Sequence, residues 1–516
     1  MEDQKDFVEE VLKQMSHSYV HLEMKKSLQN EINKANLYSG DIKKHLKKFL
    51  KESGYSVTIQ NFIYQRVLEK YNRRYNSSGA YKEPLEYIEK AQITWQKCIV
   101  KSINNMCSEL SLPLSRKRNA QDQKVLSQKL ENMQLGLEYN DEAYSKLRPV
   151  YSSADFFEVL VNIKNPNLVS STEGNIEQWG LMQAGLIGSN DIKSELELLN
   201  GKTPQVGIDD VLNASFASEW IAVGQKVIAQ RHIAASRQYL KQGCPSGLRK
   251  DIWRTFFNID ITNESIHYYE RLKGKVLEYD MLVDYLIMKD VRLTATNDDA
   301  FFVFEDVLHQ VMLVFSRDTW MIDQFHHFSN QPPKSYVRGR LGLEEYSVNY
   351  PPCGIFPFHG FSMLAAPLCY IFEKPVELFF VFRQLYSRYF YQLYDISSHP
   401  ESIVSLCSFF EERLQLDEPQ VFKHLLEIKA QPLRIVFSWF LFAFSGYLAT
   451  DQTLQLWERV LGFDSLRLLA VLAVAIISYR RENLLGVTTK ASAEAVLADI
   501  STIKVIPVLV QYLSNS

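Results

Sequence analysis

The chain has 516 residues, 46% of them hydrophobic and 23% charged, a balance that excludes fibrous, collagenous and low-complexity proteins and predicts two or three globular domains. The formal net charge is -3, without the basic excess that phosphate neutralisation requires, so nucleic acid is not an expected partner. Six cysteines, Cys98, Cys107, Cys244, Cys353, Cys369 and Cys407, form no C-x-x-C pair and have no matching histidine cluster. That spacing predicts neither a zinc site nor a disulfide framework, and a reducing compartment follows.

The start, MEDQKDFVEEVLKQM, is acidic and has no apolar core behind a basic head, unlike a secretory signal. From residue 1 to about 150, apolar residues recur three and four apart, as in DFVEEVLKQM, DIKKHLKKFLKE, IQNFIYQRVLEKY and EPLEYIEKAQITWQKCIVKSI. This period predicts an N-terminal helical region over 1–150. In IKKHLKKFLK, Ile42, Leu46, Phe49 and Leu50 share one face, with Lys43, Lys44, Lys47, Lys48 and Lys51 around the other. Such a helix packs by its stripe with solvated lysines outside, or lies on an anionic membrane surface. SRKRN, residues 115–119, reads as an exposed turn.

Residues 151–235 read as a connecting region of short helices around the polar stretch NIKNPNLVSSTEGN. From 236 to 490 the chain is aromatic-rich and helical, with no period-two run long enough for a sheet, and a C-terminal helix or tail follows over 491–516. The predicted fold class is therefore all-α. The apolar stretches 435–449 and 468–479 fall short of the roughly 18–20 residues that span a bilayer, so buried core helices are expected and no transmembrane segment. HHFSNQPPKSYVRGRLGLEEYSVNYPP, residues 326–352, reads as an exposed loop with solvated Arg338 and Arg340. Its adjacent His326 and His327 point different ways and do not make a metal pair. Asp306 and His309 read as a surface pair on a helix.

Four motifs then occur in order. GCPSGLRKDIWRTFF (243–257) carries Gly243, Pro245, Leu248, Arg249 and Trp253. YLIMKDVRLT (285–294) carries Ile287, Asp290 and Thr294. GIFPFHGFSMLAAPLCYIFE (354–373) carries Gly360, Ala365, Ala366, Pro367 and Phe372. FSWFLFAFSGYLATDQTLQLWERVL (437–461) carries Trp439, Phe440, Leu456, Trp457 and Glu458. Arg249 and Trp253 are i and i+4 and share one helix face, which makes them structural residues, and Trp439 and Trp457 of the fourth motif are grouped with them as structural. Together the motifs resemble the TBC domain, the all-helical module of Rab GTPase-activating proteins, over the C-terminal half of the chain, 236–490.

The resemblance implies a Rab-family small GTPase as partner, on intracellular membranes, with the chain cytoplasmic or peripheral on them through its N-terminal region. It also implies no cofactor of the chain's own, because GTP and Mg²⁺ sit in the GTPase. Hydrolysis of GTP develops charge on phosphoryl oxygens and needs an oriented water, so an activator inserts a cation and a water-positioning group. The family takes these from an arginine in the second motif and a glutamine in the third. With Asp290 and Thr294 in register, the arginine position falls on Leu293, with Arg292 one residue early, and the glutamine position falls on His359. Arg292 and His359 are therefore the candidate catalytic residues, with Asp290, Thr294 and Gly360 as binding residues. The implied function is Rab GTPase activation, and the alternative is a Rab-binding effector or scaffold without chemistry.

Overall fold

The computed structural model describes residues 2–34, 42–76, 83–131, 146–166, 192–199, 201–208, 214–297, 301–324, 334–338 and 344–515. His326, His327 and Arg340 lie outside them. Helices dominate, and the chain divides into two compact units: Met1–Gly79 with Ala214–Tyr239 and Pro245–Ile259, and Ala80–Asn213 with Leu240–Cys244 and Asp260–Ser516. This division runs across the segments 1–150, 151–235, 236–490 and 491–516. Contacts made far along the chain decide it, and local composition does not report them.

In the first unit, helix Ile42–Glu52 packs on Tyr19–Lys34 and Tyr55–Asn76. Its Ile42, Leu46, Phe49 and Leu50 are half-buried, and Lys43, Lys44, Lys47, Lys48 and Lys51 are exposed. The stripe thus finds protein partners and the ammonium groups stay in water, as amphipathic spacing requires. Helix Ser246–Phe257 buries Arg249 and Trp253 together, and Trp253 meets Phe257 edge-on at 6.3 Å. Trp220 lies flat on Tyr239, centroids 4.4 Å apart, and the Tyr239 hydroxyl donates to the Trp220 carbonyl at 3.0 Å.

The second unit holds an element that the sequence reading did not expect. Strands β1 (Ser115–Lys117), β2 (Tyr279–Met281), β3 (Lys334–Arg338) and β4 (Glu344–Asn349) form one sheet in the order β2-β1-β3-β4. The first three residues of SRKRN are therefore a strand, not an exposed turn, and β3 and β4 pair antiparallel inside the stretch read as a loop. Charge pins it: Arg118 meets Asp280 at 2.8 Å and Asp284 at 2.9 Å, and the buried Arg317 meets Asp284 at 2.7 Å. Burial raises the Asp284 carboxyl, and the two guanidinium groups pull it back down.

Helix Arg467–Tyr479 is buried from Leu468 to Ile477 and packs on helices Ile403–Asp417 and Val505–Asn515. It is one of the two apolar stretches flagged by hydropathy. Among the described residues, no helix is long and apolar enough to cross a membrane. Trp439 and Trp457 are both buried. The Trp457 indole donates at 2.9 Å to the carbonyl of Ala443, which stands with Phe444 in left-handed backbone, φ 45° and 64°. Next to Trp457, Glu458 and Arg459 are fully buried as a pair. Glu458 accepts from the Cys244 amide at 3.0 Å, and Arg459 donates to the carbonyls of Val206 and Gln242 at 2.5 and 3.1 Å. Gly243 is at φ +90°, and a Cβ there would lie 2.2 Å from the Arg459 guanidinium. The first motif's glycine is thus needed for both its backbone and its lack of a side chain.

Candidate functional site

Helix Leu282–Asn297 carries the second motif. Its Asp290 is buried and faces the turn that follows His359. One carboxylate oxygen accepts from the Gly360 amide at 2.6 Å, and the other accepts from the Ser362 amide at 2.8 Å and the Ser362 hydroxyl at 2.7 Å. One helical turn on, the Thr294 hydroxyl meets the Ser362 hydroxyl at 2.8 Å. Burial pushes the Asp290 carboxyl up, and the Ser362 and Gly360 donors, followed by the charge of His359, draw it back down. Motifs two and three therefore form one hydrogen-bonded unit, with Asp290 acting as an N-terminal cap for the 3-10 helix Phe361–Leu364.

Gly360 supplies the bend at φ +90°, and a Cβ there would meet the Phe442 ring at 2.5 Å. Gly360→Ala is expected to push the turn off Phe442 and to cost about 2 kcal/mol or more from strain and overpacking. A denaturant midpoint measured against the parent checks this, and an unchanged midpoint would contradict it.

His359, at the head of the turn, is exposed, and its amide donates to the Tyr151 carbonyl at 3.2 Å. The Tyr151 ring stacks on Phe358 at 5.4 Å, and Phe358 packs on Tyr394 at 4.1 Å and Phe361 at 5.2 Å. Tyr151 was missed as a site-building residue because it lies outside every motif. A legible signal stood beside it: Ser152 and Asp155 form a reciprocal capping box, and S-x-x-D before an apolar run marks a helix start.

Asp290, Thr294, Gly360 and His359 are brought together. Arg292 is not among them. Two residues on from Asp290, it projects about 200° round the helix, and its Nε lies 3.6 Å from Glu305. Leu293, three residues on, is about 60° from Asp290 on the side of the turn and is half-buried. His309, on helix Glu305–Ser316, is buried rather than a surface partner of Asp306. Its Nε2 has no hydrogen-bond partner among the described residues. Burial, helped by the Arg292 charge, lowers its pKa from 6.5 to about 4.

The folded chain thus takes up this proton later than the unfolded chain. The stability His309 contributes is complete above pH 6.5 and is lost as pH falls towards 4, about 3 kcal/mol in all. Glu401 and Asp395, raised by burial to about 7 and about 6, act oppositely, because the folded chain protonates them first. Between pH 7 and 4 the parent is therefore expected to lose about 3 kcal/mol relative to His309→Leu when the two are compared by denaturation. Equal losses would contradict the assignment.

No group of three or more metal-ligating side chains occurs among the described residues. The model of the Rab-GTPase-TBC domain matches residues 343–485, a span that includes the His359 turn and Trp457 but not Asp290. The human protein TBC1 domain family member 19 is 46% identical over 510 residues, which is 97% of this chain and 96% of that one. The chain belongs to the TBC-domain family. The crystal structure of the Chlamydomonas flagellar RabGAP TBC domain is similar at 13% identity with a TM-score of 0.43, covering 64% of this chain and 96% of that one.

Proposed function

We propose that this chain is a GTPase-activating protein for Rab-family GTPases, and that it docks on the GTP-loaded Rab through the surface around His359. The observation that carries this reading is the exposed His359 at the head of a turn whose backbone is fixed by three donors on Asp290 and one on Tyr151. An imidazole on so fixed a backbone can bond a water through a ring nitrogen, which suits a water-positioning role. GTP and Mg²⁺ are held by the Rab, and the chain requires no cofactor. The chain works in the cytoplasm at the membrane surface where its Rab resides, and the exposed lysines of Ile42–Glu52 are suited to peripheral contact there.

A second reading, a Rab-binding effector or scaffold without chemistry, is favoured by Leu293 at the arginine position and by the pairing of Arg292 with Glu305. Single-turnover GTP hydrolysis across a panel of purified Rabs separates the two. Activation predicts acceleration of about 100-fold or more on at least one Rab, equal to about 2.7 kcal/mol, and a large part of it lost in His359→Ala. GTP-dependent binding without acceleration would establish the second reading.

A further inference from the structure

We propose that the lysine face of helix Ile42–Glu52 is a docking surface for the anionic phospholipids of a bilayer, held by charge alone and without insertion. This rests on the peripheral contact named in the reading above and identifies its partner. It is tested without any GTPase, so that either can fail alone.

At about 100° of rotation per residue from Ile42, Lys43, Lys47, Lys51, Lys44 and Lys48 fall at about 100°, 140°, 180°, 200° and 240°. Five ammonium groups therefore share an arc of about 140° along about 12 Å of helix axis, and all five side chains are exposed. The one acidic residue of the helix, Glu52, stands outside the arc at about 280°. It pairs with Lys48 at 3.7 Å, with both side chains mostly in solvent, and such a pair competes weakly for the lysine. Further round, at about 300°, His45 bonds Glu31 at 3.1 Å, which holds that carboxylate on the flank of the helix and off the lysine face.

The opposite face is occupied. Ile42, Leu46, Phe49 and Leu50 are half-buried, and the helix packs on Tyr19–Lys34 and Tyr55–Asn76. The apolar stripe thus has protein partners and does not enter hydrocarbon, unlike that of a helix lying free in the interface. Attraction is left to the ammonium groups, each of which strengthens binding to an anionic surface about fivefold. Five of them together give about 10³-fold over neutral lipid.

The helix carries a formal charge of +4, five lysines against Glu52, in a chain of net charge -3, so the other residues together carry -7. Positive charge is thus concentrated on this one face, and repulsion from charges beyond about 10 Å is screened at 0.1 M salt. None of the five cations is an arginine, the residue that grips phosphate in a fixed bidentate geometry. The helix also places no aromatic ring in the arc on which a base could stack. Point charges on flexible stems, set on a convex surface, suit mobile headgroups that gather to meet them better than they suit a nucleic acid or a phosphopeptide.

The test is flotation of the full-length chain with vesicles of phosphatidylcholine alone or with about 30% phosphatidylserine. The serine vesicles are expected to bind at least about 100-fold more tightly at about 0.1 M salt and to lose most of that preference at about 0.5 M. Replacing three lysines together, Lys43→Gln, Lys47→Gln and Lys51→Gln, should lower binding about 100-fold, with the melting temperature unchanged. Arginine at the same three positions should hold binding within about threefold, because charge is what the surface presents. Where the triple glutamine variant melts early, Lys44→Gln with Lys48→Gln gives an independent readout, a loss of about 25-fold.

The proposal is overturned if neutral and anionic vesicles bind alike, or if the glutamine variants float as the parent does. Binding to duplex DNA or RNA in place of vesicles also overturns it, and would make this face a nucleic-acid surface. Failure of vesicle binding leaves Rab stimulation in solution to stand, and absence of Rab stimulation leaves vesicle binding to stand.

Discussion

Asp290→Ala is expected to lower folding stability by about 3–5 kcal/mol and to abolish GTP-dependent Rab binding. The substitution strands the Gly360 and Ser362 amides, each at a cost of about 1–3 kcal/mol when buried, and removes the acceptor of the Ser362 hydroxyl. Relief from burying a carboxylate whose pKa burial raises offsets part of this. Asp290→Asn should recover little, because its NH₂ group would face one of the donors. The denaturant midpoint and a GTP-dependent pull-down measure the two effects separately. A variant that folds and binds like the parent would show that Asp290 does not hold the site.

Arg459→Ala is expected to cost about 3–5 kcal/mol, the range for breaking one side of a buried ion pair. Arg459 and Glu458 are both fully buried. Without the guanidinium, Glu458 loses its ion-pair partner while the Cys244 amide stays on it, and the Val206 and Gln242 carbonyls each lose one donor. The physical signature is in the double variant. Arg459→Met with Glu458→Gln leaves no orphaned charge and should be more stable than Arg459→Ala alone. Melting curves for the three proteins decide it, and a double variant less stable than the single would contradict the pairing.

How much of this was legible in the sequence differs from one element to the next. Helix Leu282–Asn297 and the turn at His359 were legible because their motifs are short and local, and the i, i+4 spacing of Asp290 and Thr294 places both on one face. The grip of Asp290 on Gly360 and Ser362 was not, since it joins residues 70 and 72 positions apart. The sheet was hidden for the same reason. Strand β1 has three residues, too few to show alternation, and its partner β2 follows some 160 positions later, Arg116 facing Asp280. SRKRN read alone is a charged turn, and only pairing with Tyr279–Met281 and Arg338 makes its first three residues a strand. His309 misled because i, i+3 spacing from Asp306 says that two residues are neighbours, not which face of the helix is buried.

Rotation about the helix, which a linear motif does not display, separates Arg292 from Asp290 and Thr294.

On the proposed function, the surface around His359 meets the GTPase. His359→Glu tests it most directly, because the side chain is exposed and the amide bond to Tyr151 survives the substitution. A new negative charge facing the anionic nucleotide should weaken binding of the GTP-loaded Rab by at least about tenfold, or 1.4 kcal/mol, with the melting temperature unchanged. Binding equal to the parent's would contradict the claim and move the GTPase to another face of the chain.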